Sequence, residues 1–109
     1  HALHHDPSDL AKIFWNVERE GQSLIDRLEL AANNGDYQQF INHLFPLKSN
    51  ASVIGASRLM EVCDYLISLD ENEFTRSPVL HSDRVKTLFH ASLTKARAIL
   101  TKTGDETTG

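Results

Sequence analysis

The chain has 109 residues, 40% of them apolar, which is enough for one domain around one modest core and too few for two. Its 11 basic and 15 acidic residues leave a net charge of −4, which argues against a nucleic acid partner, since phosphate binding leaves a basic footprint. Cys63 is the single cysteine, so an internal disulfide framework is excluded, and no run approaches the roughly 18 apolar residues of a membrane span.

Residues 1–5 hold three of the six histidines and read as a tag remnant or trimmed end. The absence of an initiator methionine reads as the start of an excised piece of a longer protein. No signal-peptide pattern is visible, and a cytoplasmic setting is expected. The first helix is predicted over residues 7–33. Leu10, Ile13, Phe14, Val17, Leu24, Ile25, Leu28 and Ala31 form a stripe at spacings of three and four, with Gly21 in the same stripe. Asp6 before Pro7 is a capping residue followed by a proline suited to the first turn. At this length the opening turns are expected to fold over one end as a cap or a separate short helix. Trp15 falls off the stripe, over a groove or at a partner surface.

Asn33, Asn34, Gly35 and Asp36 spell a stop, a turn and a new cap. A second helix is predicted over 36–54, with Tyr37, Phe40, Ile41, Leu44, Leu47, Ala51 and Ile54 inward. Pro46 lies inside it, where proline costs up to about 3 kcal/mol and a bend or a water-satisfied carbonyl is expected. Gly55 lets the chain turn or lets two helices approach closely. A third helix over 56–69 turns Leu59, Met60, Cys63, Leu66 and Ile67 inward. Residues 70–80, with Pro78 and mixed charge, read as a loop. The last helix is predicted over 82–101 through Val85, Leu88, Phe89, Ser92, Leu93, Ala96, Ile99 and Leu100, and residues 102–109 as a frayed polar tail. Nothing has the period of a strand. The expected fold is all-α, an antiparallel up-down four-helix bundle.

Residues 42–66, NHLFPLKSNASVIGASRLMEVCDYL, carry the functional signal. Leu47, Lys48, Ser49, Ala51, Gly55, Ala56, Leu59, Cys63 and Leu66 fall in register with a pattern of histidine, any residue, leucine, lysine, then glycine or serine, followed by glycine-alanine and a leucine-rich helix. In this the chain resembles the histidine-phosphotransfer (HPt) family. The resemblance implies a four-helix phosphorelay module of a hybrid sensor histidine kinase, whose exposed imidazole exchanges a phosphoryl group with a response-regulator receiver domain. It places the phosphoacceptor at residue 45, which here is Phe45.

A phosphoacceptor needs an accessible lone pair, and a phenyl ring has none. Lys48 keeps the positive charge that the family directs at the phosphoryl oxygens. His43 lies about 200° around the helix from residue 45, and His90 neighbours an inward Phe89, so neither is expected to substitute. Phe45, Lys48, Ser49 and Ser52 share one face, away from Leu44 and Leu47. The implied role is therefore docking of a receiver domain or another signalling partner, with no phosphotransfer. Two origins fit Phe45: natural degeneration, or replacement of a histidine in an active parent. No cofactor, no metal and no activity of this chain are expected, Cys63 is expected to be a small buried hydrophobe, and a membrane enters only through a parent kinase. A homodimer through the Phe45 ring fits as well. The rival expectation is a generic helical-bundle interaction or dimerisation module outside phosphorelay.

Overall fold

The computed structural model describes the backbone of residues 7–108 and the side chains of residues 9–100. The protein is all-α, with no strand among the described residues: α1 (Pro7–Asn33), α2 (Tyr37–Val53), α3 (Ser57–Ser68), α4 (Glu71–Arg76) and α5 (Pro78–Thr108). Asp6 and the histidines of residues 1–5 lie outside the described residues. Among those described, no helix is long and apolar enough to cross a membrane.

The punctuation between α1, α2 and α3 is local chemistry. After α1 the Asp36 N–H reaches the Ala31 carbonyl at 2.8 Å and the Gly35 N–H the Ala32 carbonyl at 3.1 Å. After α2 the Ala56 N–H reaches Ala51 at 3.0 Å and the Gly55 N–H reaches Ser52 at 3.2 Å. Both are Schellman closures, which need a left-handed residue just past the helix. Gly35 (φ 65°) and Gly55 (φ 64°) supply it. Nothing lies within 4 Å of a Cβ built on Gly55, so this glycine makes a turn and not a close helix contact. Asp36 then caps α2, its carboxylate accepting the Gln39 N–H at 3.2 Å.

Three expectations are corrected. First, α1 is one continuous helix of 27 residues with no separate capping segment. Second, residues 70–80 are not a loop. The Asp70 carboxylate accepts the Glu73 N–H at 2.8 Å and starts α4, which ends after six residues at Arg76. Pro78 opens α5 earlier than its expected start at residue 82, because a proline in the first helical position forfeits only an N–H that had no partner. Third, α5 runs on to Thr108 through the expected tail. Extending a helix already formed is far easier than nucleating one, so a polar sequence can follow.

α1 packs against α2 and α5, α3 against α2 and α5, and α4 lies against the same two helices. Their inward faces meet in one core containing Ile25, Leu28, Phe40, Leu44, Leu59 and Phe89, all almost fully buried. The 17 residues of α2 and 12 of α3 cannot cover the 27 of α1 and 31 of α5. Ile13 (42% exposed) and Ile99 (59% exposed), both assigned inward from their periodicity, stand outside the core. Leu10 and Leu100, nearer the ends of the same helices, are half-buried, so these two lie at the edges of their stripes and line a shared apolar depression between α1 and α5.

Gly21 marks where three helices converge. A Cβ there would lie 2.3 Å from two ring atoms of Phe89 and 2.9 Å from Asn50 Oδ1. Phe89 is fully buried and has no room to move. Gly21→Ala gains about 1 kcal/mol in helix propensity and loses more through overpacking of about 1–3 kcal/mol and the displaced Asn50. Chemical denaturation should show a net loss of about 1–2 kcal/mol, and a stabilised variant would contradict this contact.

The α4–α5 joint carries a pH dependence. His81, in the first turn of α5, has a buried Nδ1 without a hydrogen-bond partner. Burial, then the charge of Arg84, holds its pKa below 6.5, while Glu73 pulls the other way through its backbone and its charge. The unfolded chain therefore takes up the proton at a higher pH than the fold does. The contribution of neutral His81 is complete above about pH 6.5 and is lost as pH falls below it. Urea midpoints measured from pH 7.5 to 5.5 should fall more steeply for the unsubstituted chain than for His81→Gln; parallel slopes would exclude His81 as the source.

Candidate functional site

The middle of α2 separates an inner from an outer face. Leu44, Leu47 and Ala51 are fully buried, while Phe45, Ser49 and Ser52 point outward and Lys48 is half-buried. The Phe45 ring is 54% exposed. The four residues singled out in the sequence thus do share a face. α2 runs through Pro46, which is exposed.

Around the ring the face is polar and small. The Ser52 hydroxyl donates to the Ser49 carbonyl at 2.7 Å. Lys48 Nζ meets Asp64 Oδ1 of α3 at 2.5 Å. Both side chains remain substantially solvated, so the pair contributes roughly 0–1 kcal/mol to stability. Its larger consequence is positional: the ammonium is held toward α3, one turn along from Phe45. Ser49 also lies on the rim of a groove between α1 and α2, whose apolar lining includes Ile13, Val17, Pro46 and Val53. Val53, 57% exposed, adds a second apolar side chain beside the polar face.

Two participants escaped the sequence reading. Asp64 is separated from Lys48 by a turn and a change of helix, and nothing in its local pattern marks it as a partner. Asn50 is the second. It is buried, donating from Nδ2 to the Val17 carbonyl of α1 at 3.2 Å, with Oδ1 unpartnered. A polar residue one position before the inward Ala51 was the available signal.

The other candidate nucleophiles lie away from the face or are silenced. His43 Nδ1 donates to the Gln39 carbonyl at 2.7 Å, and His90 Nε2 donates to Gln22 Oε1 at 2.9 Å on the α1–α5 side. Neither joins Phe45 and Lys48. The Cys63 thiol is fully buried and its pKa is pushed up to about 12, mainly by burial and then by Asp64, with Lys48 opposing. It stays protonated at neutral pH and is a poor nucleophile. Ser49 and Ser52 have no base among their hydrogen-bond partners, so neither hydroxyl is activated. What the face presents is one exposed ring, one cation paired with Asp64 and small neighbours.

Comparison with protein-family models, with curated proteins and with solved structures finds no match to the chain.

Proposed function

We propose that this chain is an HPt-like phosphorelay module that docks a response-regulator receiver domain without accepting its phosphoryl group, working in the cytoplasm as part of a hybrid sensor kinase. In this reading α1, α2, α3 and α5 are the helices of an antiparallel up-down bundle, and α4 is a short insert. One observation carries it. A turn before Lys48, where the resemblance puts a reactive imidazole, an exposed ring stands on an outward face bounded by Ser49 and Ser52. An aromatic side chain that gains burial on complex formation is a common binding anchor. The small serines leave its edges open to a partner, and Lys48 supplies a charge to complement the acidic phosphorylation pocket of a receiver.

Calorimetric titration with unphosphorylated receiver domains tests the proposal. Binding is expected, with Phe45→Ala weakening it by at least about 2 kcal/mol as an anchor should, and Lys48→Ala by about 1 kcal/mol or less because its charge is already shared with Asp64. Absence of binding by every receiver tried, up to about 1 mM, would favour the generic helical-bundle module instead.

A further inference from the structure

We infer that the groove between α3 and α5 is a docking surface for an acidic amphipathic helix of a partner protein. The α3–α5 seam is sparser than the α1–α2, α1–α5 and α2–α3 seams, and it opens into two adjoining depressions. Both are lined by Arg58 and Leu88, so they form one groove. Along α5 it runs from Leu80 to Ile99, roughly 28 Å at 1.5 Å per residue, the length of about five turns of a second helix.

The floor is apolar. Ile54, Val62 and Leu88 are half-buried, Ala91 is small, and Leu80 and Ile99 are exposed at the two ends. Three cations flank it: Arg58 from α3, and Arg84 and Lys95 from α5. Lys48, Arg76, Lys86 and Arg97 each meet a carboxylate, whereas among the described residues these three are in no ion pair. Asp83 is the only acid in the lining, and the half bounded by Arg58 and Lys95 has none. In a chain of net charge −4, this local excess of unneutralised cations selects an acidic partner. An apolar floor with charge along its edges is the form that receives one face of a helix. The groove is independent of the Phe45 face: Arg58 and Val62 line it, and Asp64 is turned about 200° from Val62 toward α2.

The test uses the whole chain and a labelled synthetic helix of about five turns, with a leucine stripe and glutamate flanks, followed by fluorescence anisotropy. Saturable binding is expected at a Kd of roughly 1–100 μM, at least about tenfold weaker for a sister peptide with lysine flanks. Arg58→Glu with Lys95→Glu should weaken the acidic peptide at least about tenfold, and Ala91→Trp should weaken it by filling the floor. Lys12→Glu with Arg27→Glu changes net charge equally and should leave the Kd within about twofold. No saturation up to about 1 mM, equal binding of the two peptides, or equal losses from the two double variants would overturn the assignment. So would self-association of the chain that Arg58→Glu with Lys95→Glu abolishes, since the groove would then belong to a second copy.

Discussion

Phe45→His is expected to change the chain from one that takes no phosphoryl label to one that takes it stoichiometrically. A neutral imidazole at this position would share the exposed outer face of α2, one helical turn from Lys48. Its unprotonated nitrogen attacks the phosphorus of a receiver's aspartyl phosphate. A P–N bond forms, the P–O bond to the aspartyl carboxylate breaks, and the carboxylate departs with the bonding pair. The Phe45 ring has no lone pair to begin this step. His43 and His90 stand away from the face, each bonded through one ring nitrogen to Gln39 and Gln22. Incubation with labelled phosphorylated receiver should therefore leave the unsubstituted chain and Phe45→Ala blank. Phe45→His should gain acid-labile, alkali-stable label, and adding Lys48→Ala should slow its appearance by removing charge stabilisation of the phosphoryl oxygens. Label on the unsubstituted chain would show that another group is reactive. A folded Phe45→His that stays blank with every receiver would remove the phosphorelay reading.

The largest effect on stability is expected from Phe74→Ala, at about 3–5 kcal/mol. A six-residue helix cannot persist alone, since nucleation costs more than so few hydrogen bonds return. α4 is held by its buried Phe74 ring, centred 4.8 Å from that of Phe40 and 5.6 Å from that of Tyr37. The Tyr37 hydroxyl also donates to the Leu69 carbonyl at 2.6 Å, fixing the chain just before α4. Truncating Phe74 empties the space beneath this aromatic group and uncouples α4. Domains of this size have a total stability of about 5–15 kcal/mol, so the variant should melt at a temperature lower by on the order of 10–20 °C. Asp70→Ala, which removes only the α4 cap, should cost about 1 kcal/mol. Equal effects of the two changes would mean that Phe74 does not seal the core.

Most of the helical content was legible because it rests on local rules. Apolar spacing marks α1, α2 and α3, and the two Schellman glycines and the Asp36 cap separate them. The same periodicity placed Phe45, Lys48, Ser49 and Ser52 together outside the Leu44–Leu47 stripe, since a helix wheel needs no tertiary information. α4 was missed because its signal is only a capping aspartate and one phenylalanine within a charged stretch, below the length at which periodicity can be read. Pro78 fits a loop in sequence, although it is equally suited to begin a helix.

The tertiary structure decided what local pattern could not carry. Ile13 and Ile99 obey the same periodicity as Val17 and Leu93, yet only the latter pair is buried, because burial depends on where on the stripe the neighbouring helix packs. Lys48 was known as a charge but not as a partner of Asp64, and Gly21 as a small residue but not as the site where the Phe89 ring and Asn50 close on α1. The sequence by itself determined α1, α2, α3 and the body of α5 and which side of each repels water. Only the tertiary structure determined that α4 forms, which apolar residues are buried, which charges are neutralised, and which are left facing an open groove.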